Sequence, residues 1–240
     1  MVKKYMKRYP LKDVQNARDL GGVPTLDGNV TNWGKFIRTA TLDDAKDYDI
    51  NYLKEMGVTR VIDLRREGEI APHKESIAKI KENFDYYNVS LAGDREFRQE
   101  DIDKIVNKEI SVGASYRNLI DNYKAVKEIM EIFADNDGIS LFHCQEGKDR
   151  TGIISMILMG ISNVARADII ADYEVSSAHL GYIERYDEDD PFSVFRITSP
   201  YNMKEAYDYI LRKYKSFDDY LLYAKVDSET IEKVRDKIAG

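Results

Sequence analysis

Apolar and polar positions along the chain repeat with two different periods. GKFIRTA (Gly34 to Ala40) is a short β-rich run. After it, Leu42, Ala45, Tyr48, Tyr52 and Met56 recur at near-helical spacing, and Gly57 stands where a helix C-cap belongs. TRVIDLR (Thr59 to Arg65) is apolar until it ends in charge, the profile of a buried parallel strand that delivers polar side chains at its C-terminal end. FDYYNVSL (Phe84 to Leu91) predicts another strand, and Tyr116 to Asn136 a long amphipathic helix. GISLFHC (Gly138 to Cys144) predicts the next strand. It is followed by TGIISMILMGIS (Thr151 to Ser162), a helix apolar enough to lie at the centre of the molecule. ARADIIADYEVSSAHL predicts one more helix, and Met203 to Ile238 two or three amphipathic ones.

Strands alternating with helices imply an α/β fold: a mostly parallel central sheet flanked by helices, with a helical C-terminal layer over about 165–238. NARDLGGVPTLDGNV (Asn16 to Val30) is turn-rich, with paired Gly21 and Gly22 and an Asp27-Gly28-Asn29 turn signal. No internal repeat or linker-like tract interrupts the pattern, so the expected organisation is a single domain over 1–240. ERYDEDDPF (Glu184 to Phe192) is an acidic loop, read as a solvated connector.

Composition narrows the function classes. Hydrophobic residues make up 43% of the 240 and aromatics 11%, enough to build a sizeable core. A formal charge of −7 argues against nucleic acid as a partner and gives no reason to dock on an anionic membrane. No stretch approaches the about 18 apolar residues of a membrane span, and no apolar run follows the basic start MVKKYMKR. The expected location is cytoplasmic or secreted, with no stable membrane insertion; the oligomeric state is left open. A single cysteine rules out an internal disulfide.

That cysteine lies in FHCQEGKDRTGII (Phe142 to Ile154), where a strand passes through a short loop into a helix. Backbone N–H groups converge above a helix N-terminus in such a turn and bind anions, aided by the helix dipole. Arg150 follows Cys144 by six positions, at the helix start, where its planar fork can hold two phosphate oxygens. Gly147 lets the loop bend close to a ligand. Surroundings of this kind, with Lys148 and Arg150 nearby, favour a thiolate. A thiolate below a bound phosphate suits in-line attack through a phosphocysteine, with charge on the equatorial oxygens met by donors already in place. Thr151 could donate a hydrogen bond to the departing sulfur, while His143 supports the loop. A nucleotide loop of the G-x-x-x-x-G-K-[ST] type is absent, since Asp149 follows Lys148. Three scattered histidines, at 73, 143 and 179, have no metal-site spacing, so neither metal nor cofactor is expected.

HCQEGKDRTG resembles the His-Cys-x5-Arg-Thr-Gly signature of cysteine-dependent tyrosine phosphatases and their dual-specificity relatives. Its GKDRTG ending is similar to a bacterial and fungal branch acting on phosphotyrosine and often on phosphoinositides. NARDLGG, VIDLRREGE, ADIIADYEVSS and YKSFDDYL agree with that branch, so the resemblance spans about residues 11–235. It implies Cys144 as nucleophile, Arg150 as phosphate clamp, and the amides of Gln145, Glu146, Gly147, Lys148, Asp149 and Arg150 as the phosphate cradle. It also implies substrates that are phosphotyrosine proteins, phosphoinositides, or both. Lys148 resembles a lysine of phosphoinositide-active relatives; the plain alternative is a solvent-facing lysine at the helix start.

A general acid for the leaving oxygen is worth about 10²–10⁴-fold. Many relatives take it from a separate loop well before the cysteine, where this sequence offers Asn107 to Tyr116, with Glu109 as the sole acid. The branch resembled implies Asp149. Asp63 at its strand end is second, with the alternative that it pins Arg18 or a loop amide, and Asp94 in LAGDRE is third. Glu146 is a departure, standing where relatives usually have a small residue; facing the pocket, it would repel a polyphosphate. A phosphate-binding module without turnover is the competing class, disfavoured because Cys144 and Arg150 are both present.

Overall fold

A computed structural model describes residues 6–92 and 99–239. Five strands, β1 (Arg18–Asp19), β2 (Phe36–Thr39), β3 (Val58–Asp63), β4 (Asp85–Asn88) and β5 (Ile139–His143), form one sheet in the order β1-β2-β5-β3-β4. Every neighbouring pair is parallel except β1 with β2. The expected mostly parallel α/β sheet is what the chain forms. In the central strand β5 all five residues are buried, as a parallel strand covered on both faces requires.

Register places the chemistry. Thr39 of β2 and Asp63 of β3 both pair with His143, so three strand ends lie level across the sheet, with Cys144 one residue beyond. Ligands in such sheets bind outside the carboxyl ends of the strands, where connections diverge.

The helices are α1 (Asp47–Met56), α2 (Glu67–Ile70), α3 (Lys74–Asn83), α4 (Gln99–Val106), α5 (Val112–Ser115), α6 (Arg117–Ile120), α7 (Tyr123–Ala134), α8 (Asp149–Ile161), α9 (Arg166–His179), α10 (Pro200–Tyr214), α11 (Phe217–Tyr223) and α12 (Ser228–Ala239). Alternation along the strands splits the core in two. Phe36, Ile62 and Phe142 pack with α7, α8 and the C-terminal helices. Ile37, Val61 and Leu141 pack on the other face with Ile50, Leu53 and Met56 of α1 and Ile80 of α3. Helix α8 has almost every side chain buried, in keeping with its unbroken apolar sequence. Gly57 closes α1 in the left-handed conformation, φ 100°, as expected.

Three expectations are corrected. The helix foreseen over Tyr116–Asn136 is broken at Asp121 and Asn122. Asn122 caps α7 by accepting from the Ala125 N–H, while the Asp121 carboxylate takes hydrogen bonds from Tyr123, Tyr209, Tyr214 and Lys213. The turn-rich N-terminal segment contributes β1, and the strand foreseen over Phe84–Leu91 is shorter, as β4. The C-terminal tail supplies three helices. No helix among the described residues is long and apolar enough to cross a membrane.

Candidate active site

Cys144 leaves β5 at the level where β2 and β3 end, and the chain turns through residues 145–148 into α8. Gly147 makes the turn possible. Its φ is 68°, and a Cβ there would lie 2.1 Å from the Thr39 carbonyl oxygen.

The loop's acceptors are consumed by the protein. The His143 carbonyl accepts from the Leu64 N–H at 2.8 Å, and the Gln145 carbonyl from the Thr41 N–H at 3.0 Å. Cys144 O accepts from His143 Nδ1 at 3.0 Å. Asn16 Nδ2 donates to the carbonyls of Glu146 and Gly147, each at 3.0 Å. Arg38 Nη2 donates to Gly147 O at 2.7 Å and to Lys148 O at 3.2 Å. With its carbonyls engaged by these neighbours, the loop has mainly N–H groups to offer an incoming ligand.

A buried ionic frame carries those donors. Arg38 Nη1 meets Asp172 Oδ2 at 2.6 Å, and Arg18 Nε meets Asp172 Oδ1 at 2.9 Å. Arg18 also donates through Nη1 to Asn16 and through Nη2 to Ser176. Burial alone would raise the Asp172 pKa, but the two guanidinium groups hold it well below the usual carboxylate range. Arg18, foreseen as a supporting residue, thus reaches the loop through Asn16 and Asp172.

Arg150 is gripped end-on by Glu69 of α2: Nη1 to Oε2 and Nη2 to Oε1, both 2.7 Å. Two of its five N–H groups are used this way, which leaves three for a ligand's oxygens. Burial disfavours its charge, but the Cys144 sulfur and Glu69 together raise its pKa. Glu69 itself is opposed by burial and still drops to about 2 because of Arg150. No motif in the sequence singles out Glu69 for this contact. The signal available was a carboxylate three residues after Arg66, downstream of a strand ending in charge.

Lys148 is buried rather than solvent-facing, with 4% of its surface exposed. Its ammonium lies 3.0 Å from Glu146 Oε2 and 3.8 Å from Asp149 Oδ2, and donates to the Phe195 carbonyl. Burial works against its charge; Asp149 and Glu146 more than offset this and raise its pKa. Glu146 accepts a further hydrogen bond from Tyr182 Oη, so its carboxylate is held between Lys148 and Tyr182.

Asp149 is the first residue of α8 and accepts from Tyr116 Oη, which is also 2.7 Å from Tyr173 Oη. About a third of the Asp149 side chain is exposed. Asp63 is fully buried. Its oxygens take the Arg65 amide at 3.0 Å, Arg65 Nη2 at 2.7 Å and Tyr86 Oη at 3.1 Å. Burial opposes its ionisation, yet His143 and Arg65 bring its pKa down. Asp63 therefore pins Arg65 rather than Arg18; Arg65 in turn reaches Asp43 at 2.6 Å and Gln145 Oε1 at 3.3 Å. Burial lowers the His143 pKa in spite of Asp63, which keeps the ring neutral at neutral pH. The Thr151 hydroxyl is buried without a hydrogen-bond partner. Asp94 lies outside the described residues. Among the described residues, no cluster of His, Cys, Asp or Glu could hold a metal.

A tyrosine-protein phosphatase of Nostoc commune is 35% identical over 148 residues, covering 60% of this chain and 49% of that protein. A putative tyrosine-protein phosphatase of Cupriavidus necator is 27% identical over 168 residues, covering 67% of this chain and 59% of its own length. The chain thus spans about half the length of these relatives. Among solved structures, the core catalytic domain of the PP-IP phosphatase SIW14 from S. cerevisiae aligns over 82% of this chain and 96% of its own, with a TM-score of 0.43 and 16% identity. TpbA of P. aeruginosa, in complex with pTyr, aligns over 72% of this chain and 86% of its own, at 0.32 and 14%. Residues 9–240 match the model of the tyrosine phosphatase family, and the chain belongs to that family.

Proposed function

We propose that the chain hydrolyses phosphomonoesters through a phosphocysteine on Cys144, with phosphotyrosine proteins or phosphoinositides as substrates. The observation that carries this reading is the polarity of the loop: carbonyls from His143 to Lys148 accept hydrogen bonds from the protein, while Glu69 leaves three Arg150 N–H groups to grip a phosphate. Such preorganised donors stabilise charge on the equatorial oxygens as it develops.

In the first step the Cys144 sulfur bonds to phosphorus as the P–O bond breaks, and Asp149 gives its proton to the leaving oxygen. In the second, water attacks phosphorus, Asp149 takes the water's proton, and the P–S bond breaks. The unpartnered Thr151 hydroxyl is suited to receive the departing thiolate. Asp149 serves better than Asp63 because it is partly exposed, whereas Asp63 is fully buried and saturated by Arg65 and Tyr86.

Rapid quenching during turnover of a phosphotyrosine peptide should trap phosphate on wild-type protein and none on Cys144→Ser. Asp149→Asn should slow turnover about 10²–10⁴-fold and lose the basic limb of the pH–rate curve. Hydrolysis by Cys144→Ser at the wild-type rate would overturn the reading. Tight phosphate binding without release would favour the non-catalytic binding module instead.

A further inference from the structure

Beside the catalytic loop lies a groove of about 370 Å³. One wall comes from Val112 and Tyr116, the other from Tyr182, Phe192, Phe195 and Arg196, and the floor includes Lys148 and Asp149. The outer wall belongs to the acidic connector between α9 and α10. It is fastened to the loop at two points, through Tyr182 Oη on Glu146 and Lys148 on the Phe195 carbonyl. Phe192 and Phe195 stack with ring centres 6.4 Å apart in the short 3-10 turn Pro191–Phe195, and Phe192 is 52% exposed.

The position of this groove, against the residue assigned to protonate the leaving oxygen, suits it to the leaving-group side of a substrate. Aromatic walls of this kind favour a flat ring over a polyol. Charge selects further. The cations of the groove are already matched, Lys148 by Glu146 and Asp149, and Arg196 by Asp190 at 3.0 Å. Around the outer wall Glu184, Asp187, Glu188 and Asp189 are all exposed, and the one cation among residues 184–189, Arg185, lies over the Tyr182 ring, so the rim keeps an excess of negative charge. A polyanionic headgroup, or the anionic membrane holding it, would meet paired cations and a negative rim. A basic peptide would meet complementary charge.

We propose that this groove takes the ring of a phosphotyrosine peptide and that the rim reads basic residues flanking it. This inference rests on the phosphatase reading above. Three peptides identical except for acidic, neutral or basic flanks would be compared with p-nitrophenyl phosphate, as ratios of kcat/KM, so that a partly unfolded variant is corrected by its own small-substrate rate. The basic peptide should exceed the acidic one about tenfold at low salt, and the preference should collapse at high salt. Asp187→Lys combined with Glu188→Lys and Asp189→Lys should abolish it. Phe192→Ala should lower the ratio for all three peptides about fivefold, through KM.

Equal ratios for the three peptides, or faster hydrolysis of a phosphoinositide in anionic vesicles than of the basic peptide, would overturn the inference while leaving the phosphatase standing. No hydrolysis of p-nitrophenyl phosphate by the wild type would overturn both.

Discussion

Glu69 fixes the orientation of the Arg150 guanidinium through both of its oxygens. A free guanidinium on a helix's first turn samples many rotamers; the two 2.7 Å contacts leave it one orientation. Glu69→Gln keeps the shape but removes the charge and one acceptor, so kcat/KM should fall about 10–100-fold. Stability should respond to pH in a defined window. The folded-state pKa of about 2 lies below the ordinary 4.5, so the pair stabilises fully above 4.5 and loses that contribution as pH falls toward 2. Denaturant titrations should show a Glu69→Gln deficit on the order of 2 kcal/mol, flat above about pH 5 and vanishing near pH 2.

At the scale of elements, the loop between β5 and α8 is held by β2 and α9 as much as by its own strand. Arg38 leaves β2, Asp172 leaves α9, and their contact lies directly behind the Gly147 and Lys148 carbonyls. Asp172→Asn would leave Arg18 and Arg38 buried without a counter-charge. The expected cost is about 3–5 kcal/mol, read as a lower denaturation midpoint, together with weaker binding of inorganic phosphate because the loop loses its backing. These residues were partly visible beforehand. Arg38 interrupts a short apolar strand run, and Asp172 shares the buried helical stripe of Ile169, Tyr173 and Ser176. A charge on an apolar stripe announces a partner, but the partner is 134 residues away, and periodicity carries no information about that pairing.

At the scale of the whole molecule, α12 closes the fold over the sheet end opposite the loop of residues 145–148. Ile231, Val234 and Ile238 are buried, Lys237 donates to the carbonyls of Phe133, Ala134 and Asn136 at the end of α7, and the Asn32 N–H donates to the Ile238 carbonyl. We expect the chain to unfold as one unit. Ile231→Ala should cost about 2–4 kcal/mol and shift a single transition seen alike by Trp33 fluorescence and far-UV circular dichroism, while the phosphate affinity of the folded protein is unchanged. Two separate transitions would count against a single cooperative domain.

The sequence by itself determined the α/β class, the strand–loop–helix around Cys144 and the identity of Arg150 as its nearby cation, because local period, glycine and short-range spacing are properties of neighbouring residues. Lys148 and Glu146 mark its limit. Both are prominent in the sequence, yet their pairing with each other, Tyr182 and the Phe195 carbonyl depends on where a distant connector packs. The same holds for Glu69 on Arg150, Asp172 between two arginines, and Asp63 withdrawn beneath Arg65. Burial and charge pairing are long-range outcomes of packing, and only the tertiary structure decided which acid was spent on support and which stood at the edge of the groove.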